Sequence, residues 1–155
     1  MQMMLIGVSI LALCMSDRAR ADEADAVKTI ENLGGNIRRD KHLPGSPVVA
    51  VMLGDTSLTD ADLKKLKVFA QLTSLDLART QVTDSGMKEL KNLKRLTRLI
   101  LSRTSKVTDV GIVELKDLKQ LTTLDLDVTQ VTDASLKVLK EFKQPCLSCV
   151  TSVHL

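Results

Sequence analysis

Aromatic side chains are almost missing from this chain of 155 residues, which has no Trp, no Tyr and only two Phe, Phe69 and Phe142. Surfaces that bind sugars or single-stranded nucleic acid typically stack rings on aromatic side chains. The scarcity of aromatics therefore argues against both kinds of ligand. Protein hot spots also favour Trp and Tyr, so any protein interface formed by this chain is expected to have modest affinity.

Residues suited to acid–base chemistry are also scarce. The chain has two histidines, His42 in a loop with proline and glycine and His154 beside the end of the sequence. No glycine-rich phosphate loop and no cluster with metal-ligand spacing is present in the sequence. No nucleophile has a base placed near it by the sequence pattern. We therefore expect no enzymatic activity, no cofactor and no metal site.

Cysteine is rare as well, because the chain has only Cys14, Cys146 and Cys149. The last two form a C-x-x-C, a spacing that can serve thiol redox chemistry or half of a zinc site. A redox thiolate stands at the start of a helix, whereas Pro145 ends the preceding predicted helix. A zinc site could recruit His154 but would lack a fourth ligand. We favour a local disulfide or buried thiols, and a thiol redox protein remains a remote alternative.

The apolar run at residues 3–15 is too short to cross about 30 Å of hydrocarbon as a helix. A small-x-small cleavage site follows at residues 19–21, so residues 1–21 are predicted to be an export signal. An uncleaved anchor is the alternative, because no Lys or Arg precedes the run. A lipoprotein acylated at Cys14 is less favoured, because Leu13 stands where a small residue is wanted. We expect export to the periplasm, the extracellular space or the cell envelope, with no stable membrane span after cleavage.

The charge of the chain is nearly balanced, at +3 with histidine neutral. Removal of residues 1–21 would leave 20 basic and 18 acidic residues, a net charge of +2. Such a balance does not support nucleic-acid or membrane binding on bulk charge alone.

What the sequence does contain is a repeat, because a Thr-Asp pair follows a short Leu-rich run four times, at spacings of 24, 25 and 24 residues. Apolar residues two apart, such as Leu75 and Leu77, predict a strand, and apolar residues three apart, such as Met87 and Leu90, predict a helix. Thr83 is placed to cap that helix, with the next residue in its first turn. A strand and a helix repeated in this way predict a parallel sheet with helices on its other side. The four pairs are Thr59-Asp60, Thr83-Asp84, Thr108-Asp109 and Thr132-Asp133.

The predicted domain organisation has a cap at each end of the repeats. The first cap covers residues 22–47, with a helix at 22–33 that Asp22 would cap, a short strand within 36–40 and a loop. The second cap covers residues 145–155. The predicted repeats are 48–71, 72–95, 96–120 and 121–144.

The segment Leu72-x-x-Leu75-x-Leu77-x-x-Thr80-x-Val82 resembles the consensus of leucine-rich repeats, with Thr in the slot often held by Asn or Cys. The phrases Val-Thr-Asp-x-Gly-Met and Val-Thr-Asp-x-Gly-Ile resemble the helix start of the cysteine-containing subclass and of bacterial extracytoplasmic relatives. The resemblance covers all four predicted repeats. It implies an α/β leucine-rich-repeat solenoid, with short parallel strands on the concave side and helices on the convex side. It also implies that the slot residues bond backbone amides along the turns as a ladder. These residues are Thr56, Thr80, Thr104 and Thr129.

The outward face of the predicted sheet is the candidate binding surface, because proteins of this family usually bind there. Ile100 is expected to lie exposed near the middle, with arginines around it and aspartates toward the flanks. Arginine can make bidentate contacts to the carboxylates of a partner. The plainer interpretation is a solvated face whose charges pair across neighbouring strands. The candidate residues are Asp76, Arg79, Arg98, Ile100, Arg103, Asp125 and Asp127. We predict a non-catalytic protein-binding or scaffold module that is a monomer and has a protein partner.

Lysines crowd the predicted helices and support a second hypothesis, a module of the cell envelope that binds an anionic surface such as cell-wall polymers or lipid headgroups. The plainer interpretation is a solvated helical face, because acidic residues stand among the lysines. The lysines are Lys64, Lys65, Lys67, Lys88, Lys91, Lys94, Lys116, Lys119, Lys137, Lys140 and Lys143.

Overall fold

The computed structural model describes residues 20–132, 134 and 135. Residues 1–19 of the predicted export signal, residues 133 and 136–144 of the last predicted repeat, and the C-terminal cap with Cys146 and Cys149 lie outside the described residues. The elements in chain order are a helix α1 whose described part covers 20–32, β1 (Asn36–Arg39), β2 (Val48–Met52), α2 (Asp60–Leu63) with a 3-10 turn (Lys64–Val68), β3 (Ser74–Asp76), α3 (Asp84–Leu90), β4 (Arg98–Ile100), α4 (Asp109–Val113) with a 3-10 turn (Glu114–Asp117), and β5 (Thr123–Asp125).

In the described part of the chain, the strands form one sheet in the order β1-β2-β3-β4-β5. The first pair is antiparallel, and every later pair is parallel. Ser74 lies opposite Ala50, Arg98 lies opposite Ser74, and Thr123 lies opposite Arg98. Each strand is therefore displaced from the preceding one by one repeat length. The predicted parallel sheet is confirmed, and the chain has an α/β repeat fold.

The core lies between the sheet and the helices. Leu75 and Leu99, from the inward face of the strands, are 0% exposed. They belong to one hydrophobic cluster with Met87 and Leu90 of α3. Phe69 is also buried in this cluster. Burying each such side chain contributes roughly 1.5–3 kcal/mol, which explains how strands of three residues and helices of one or two turns are held in place.

Helix α1 adds Ala26 and Ile30 to the same cluster. It ends at Gly34, whose φ of 81° is the left-handed conformation that glycine accepts without strain. The prediction that Asp22 caps this helix is wrong, because residues 20 and 21 are already helical. Arginine and alanine are strong helix formers, so nothing in this segment ends the helix at Asp22.

Thr83 caps α3, as predicted, and Thr108 caps α4 in the same way. Thr83 Oγ1 accepts a hydrogen bond from the backbone N–H of Ser85, and Thr108 Oγ1 accepts one from Val110, both at 3.2 Å. These bonds satisfy donors that a helix start leaves unpaired.

Asp60, Asp84 and Asp109 each link their own helix to the threonine of the next Thr-Asp pair. The Asp84 carboxylate accepts hydrogen bonds from the backbone N–H and the hydroxyl of Thr108, both at 2.8 Å, and from the N–H of Gly111 at 3.0 Å. Asp60 accepts the two corresponding bonds from Thr83. One carboxylate therefore satisfies the start of the following helix, and the connection recurs along the chain. The sequence pattern predicts these aspartates in a first helical turn but does not indicate their hydrogen bonds to the next repeat.

The glycines at helix starts make room for this carboxylate. A Cβ built on Gly111 would overlap Asp84 Oδ1 and would stand only 3.2 Å from the Asp84 Cα. Gly86 meets Asp60 in the same way. These glycines therefore allow close packing, and the atoms they admit are the carboxylates of the preceding helix.

Asp62 occupies the corresponding position in α2 and makes different contacts. No Thr-Asp pair precedes Thr59, so its N–H and hydroxyl would lack the acceptor that later helices have. Asp62 Oδ2 accepts both bonds instead, at 3.0 and 2.7 Å. Because Asp62 stands where later repeats have glycine, the first Thr-Asp pair also has a carboxylate that accepts the bonds of its threonine.

The hydrogen bonds of the slot threonines differ from the predicted ladder. Each hydroxyl donates to the carbonyl three residues earlier in its own turn, so these bonds do not pass from one turn to the next. The bonds, with donor–acceptor distances of 2.6, 2.7, 2.5 and 2.7 Å, are made by Thr56, Thr80, Thr104 and Thr129.

Candidate functional site

The strand register arranges the outward face of the sheet in rows that run across the strands. Residues opposite one another in neighbouring strands share a face of the sheet. What we call the first row consists of Arg38, Ala50, Ser74, Arg98 and Thr123. Cations stand on β1 and β4, and small residues lie between them.

What we call the second row lies two residues further along β2 to β5, and two residues earlier on the antiparallel β1. It consists of Asn36, Met52, Asp76, Ile100 and Asp125. This row is acidic and apolar in alternation. The register therefore places three predicted site residues side by side, Asp76, Ile100 and Asp125.

What we call the turn row follows the strands and consists of Asp55, Arg79, Arg103 and Val128. These residues have φ values of 60, 56, 59 and 52°, in the left-handed region that residues with a Cβ seldom adopt. Successive turns are tied by backbone bonds, such as the N–H of Arg79 to the carbonyl of Ser102 at 2.9 Å. This conformation could not be predicted from the sequence, because Asn or Gly would be its usual signal.

The charged side chains of this face differ in how they are paired. Arg79 forms an ion pair with Asp55 at 3.1 Å, with both side chains more than half exposed. Such an exposed pair contributes little to stability. Arg98 and Arg103 are exposed and have no ion-pair partner within the described residues. The plainer interpretation of paired charges therefore applies to Arg79 and does not extend to the other two arginines.

Two predicted acidic site residues have structural hydrogen bonds. Asp76 Oδ1 accepts from the N–H of Ala78, and Asp125 Oδ1 accepts from the N–H of Asp127, both at 3.0 Å. The carbonyl of Asp127 in turn accepts from the N–H of Arg103 at 2.7 Å. These aspartates therefore help to shape the turns as well as to charge the surface.

The expectation of an exposed Ile100 at the centre of the face is wrong, because Ile100 is only partly exposed. It stands on an internal strand between Asp76 and Asp125, whose side chains flank it. Met52, nearer the edge of the sheet, is 45% exposed and is the more accessible apolar side chain of the second row.

Arg38 also lies on the outward face, although the sequence pattern does not indicate it as a candidate site residue. A strand was predicted at 36–40, but its partner and direction could not be inferred from a segment outside the repeat. The antiparallel pairing with β2 places Arg38 opposite Ala50 and so in the first row.

The helical side of the chain is as rich in exposed lysine as predicted. Lys65 is held by the first helix, because its Nζ lies 3.1 Å from Asp25 Oδ2 and 2.8 Å from the Thr29 hydroxyl. Of the other predicted lysines, Lys137, Lys140 and Lys143 lie outside the described residues. The rest are exposed, namely Lys64, Lys67, Lys88, Lys91, Lys94, Lys116 and Lys119.

Within the part of the chain that the structure describes, no group of three or more His, Cys, Asp or Glu side chains could hold a metal ion. Across the same residues, no helix has both the length and the apolar character that a membrane span requires.

Comparison with known families agrees with the repeat seen in the fold. A family model described as Leucine Rich repeat matches residues 71–91, which begin three residues after the first 3-10 turn and include β3 and α3. A comparison with curated proteins finds no match to the chain. The match supports a leucine-rich repeat protein and suggests a protein-interaction module, because domains of this kind are generally non-catalytic binding modules.

Proposed function

We propose that this chain is a non-catalytic, monomeric protein-binding module that acts as a scaffold, exported behind the signal at residues 1–21. In this proposal it is a solenoid of four leucine-rich repeats, of the subclass found in bacterial extracytoplasmic proteins. Its binding surface is the outward, concave face of the sheet.

The observation that carries this proposal is the state of Arg98 and Arg103. Most polar groups along the repeat are used within the fold, since the Thr-Asp pairs and the strand-end aspartates accept or donate structural bonds. Arg98 and Arg103 belong to one strand-and-turn unit, are exposed, and have no ion-pair partner in the described part of the chain. Two guanidinium groups that are unpaired within the described residues are well suited to carboxylates of another protein.

The experiment that tests the proposal is a capture from the envelope fraction of the source cells, with the whole chain immobilised. An Arg98→Glu/Arg103→Glu variant should lose a captured protein that the unmodified chain retains. The matched control is Lys91→Glu/Lys116→Glu, which makes the same change of charge on the helical side and should retain it. Loss in the lysine variant alone would contradict the proposal.

A second candidate function, binding of an anionic surface, is favoured by one observation. Lys67, Lys91 and Lys116 occupy equivalent positions in successive turns and are all exposed, so they form a column of like charge. Vesicles with and without anionic lipid test this candidate. Binding that requires the anionic lipid, falls steeply with added salt and disappears in a Lys67→Gln/Lys91→Gln/Lys116→Gln variant would favour it over the first.

A further inference from the structure

We propose that the first row binds an extended acidic peptide segment that crosses the strands, with one carboxylate on Arg38 and another on Arg98. This inference rests on the proposed function, because it names the kind of protein segment that the outward face accepts. It places the partner on β1 to β4 and assigns a binding role to Arg38.

The spacing of the row sets the spacing of the two carboxylates. Arg38 and Arg98 are separated by β2 and β3, and neighbouring strands lie about 4.8 Å apart, so their attachment points are roughly 14 Å apart. An extended peptide rises about 3.3 Å per residue, so two acidic residues four positions apart are separated by about 13 Å. An even spacing also places both acidic side chains on the same side of the peptide.

The surface between the two arginines is low enough to admit a peptide backbone. Its residues are Ala50 and Ser74, the two smallest side chains of the row, of which Ser74 is partly exposed. The taller side chains thus stand at the two ends of a shallow trough. A peptide that lies across the trough would bring its carboxylates to the guanidinium groups without displacing any described side chain that has a structural bond.

Charge around the row favours an acidic segment. Arg38 shares an open depression of about 360 Å³ with Lys41 and His42. Asp40 also lines this depression, but its Oδ1 accepts the N–H of His42. Neighbouring Arg39 is already paired with Glu23 at 2.7 Å and therefore adds little to the field.

The acidic residues of the second row do not face the trough. Asp76 Oδ1 and Asp125 Oδ1 accept N–H groups two residues further along the chain, so their carboxylates are directed toward the strand ends. The first row begins two residues before them, on the opposite side of these side chains. The positive and negative parts of the face are thus separated along the strand direction.

The test is an NMR titration of the ¹⁵N-labelled whole chain with a capped peptide of sequence Ala-Glu-Ala-Ser-Ala-Glu-Ala. We expect shifts of the amides of Ala50 and Ser74, and weaker binding when salt is added. Arg38→Glu or Arg98→Glu should each lower the affinity about fivefold to tenfold, since a screened attraction becomes a repulsion. The control variant Lys116→Glu, with the same charge change on the helical side, should bind as the unmodified chain does.

A peptide of the same composition with its two glutamates adjacent tests the spacing. It should bind more weakly than the spaced peptide, and equal binding of the two would overturn the proposed arrangement. Failure of the spaced peptide to shift Ala50 and Ser74 would also overturn it. The proposed function would survive that failure if the captured protein still depended on Arg98 and Arg103, whereas independence from both arginines would reject the proposed function itself.

Discussion

At the scale of single residues, the aspartates that join successive repeats are the main polar contacts between helix starts. They are Asp60, Asp84 and Asp109. Asp84 satisfies the Thr108 N–H, the Thr108 hydroxyl and the Gly111 N–H, three donors at the start of the next helix. Hydrogen bonds to a charged acceptor are each worth about 1.5–3 kcal/mol, more than neutral ones. The recurrence of Thr-Asp thus reflects contacts between successive turns in addition to helix capping.

Replacement of Gly111 by alanine tests the geometry of this contact. Alanine ordinarily stabilises a helix by about 1 kcal/mol relative to glycine. Here its Cβ would overlap Asp84 Oδ1 and crowd the Asp84 backbone, so we expect Gly111→Ala to lower the free energy of unfolding by about 1–3 kcal/mol. Denaturant titration followed by circular dichroism measures it.

The matched control for that change is Gly54→Ala. Its added Cβ would meet nothing closer than Asp76 Oδ1 at 3.4 Å, an ordinary contact. We expect a much smaller change in the unfolding midpoint. A neutral or stabilising Gly111→Ala would show that the carboxylate can move aside without loss.

Asp109 makes the stability sensitive to acid. Burial raises the pKa of its carboxyl, but hydrogen bonds from Ser135 and Thr132 outweigh burial and hold the pKa below its ordinary value of 3.8. A lowered pKa in the folded state means that the stabilisation is complete above the ordinary value and is lost as the pH falls through the lowered one. The contribution of this group should therefore disappear only in acid.

The measurement compares the unmodified chain with Asp109→Asn by denaturant titration at several pH values. The difference between their unfolding free energies should be largest near pH 6 and should shrink as the pH falls below about 4. The other carboxylates titrate in both proteins and cancel in this difference. A difference that is independent of pH would contradict the assignment.

At the scale of elements, the regular segments are too short to be stable by themselves. The β3, β4 and β5 strands have three residues each, and α3, with seven residues, is much shorter than an isolated helix needs to be. Their positions depend on the buried leucines and on the turns that follow each strand. These turns use the left-handed conformation at every position of the turn row.

Val128 is the least suitable residue of the turn row. Its φ of 52° is costly for a β-branched side chain, and it is 55% exposed, so little packing compensates for the strain. We expect Val128→Asn to raise the free energy of unfolding by about 1 kcal/mol, because asparagine tolerates this conformation. The control is Val110→Asn, an exposed valine in the first turn of α4, which should give no comparable gain. A loss of stability in Val128→Asn would indicate that the valine makes a favourable contact.

At the scale of the whole molecule, the repeat period decides what could be predicted. The parallel sheet, the buried leucines and the capped helix starts at Thr83 and Thr108 follow from side-chain periodicity, which is local. The bonds from Asp84 and the pairing of Arg38 depend on contacts between distant residues, so periodicity does not indicate them. The left-handed turns could not be predicted, because their residues are not the Gly or Asn that usually adopt this conformation. The outward direction of the site residues was predictable, but their pairing and exposure were not, as Arg79 and Ile100 illustrate.

The stabilising free energy of the sheet is expected to depend on contacts between neighbouring strands. Leu99 is fully buried on β4, and Leu99→Ala should lower the free energy of unfolding by about 2–5 kcal/mol. If stability is a sum of contacts between neighbouring repeats, the damage should be greatest at the two strand pairs that include β4. The amide of Leu77, bonded to the Ile100 carbonyl, and that of Leu101, bonded to the Asp125 carbonyl, report these pairs. The amide of Leu53, bonded to the Asp76 carbonyl, reports the pair beyond them.

Hydrogen exchange under native conditions distinguishes these amides. We expect Leu99→Ala to accelerate exchange at Leu77 and Leu101 more than at Leu53, because the β2–β3 pair does not include the altered strand. Equal acceleration at all three amides would mean that the sheet opens as one cooperative unit, in which a cavity in any layer weakens every layer. In a sheet that opens in parts, a ligand that bridges Arg38 on β1 and Arg98 on β4 would tie four strands together and slow exchange at Leu53 and Leu77 more than at Leu101.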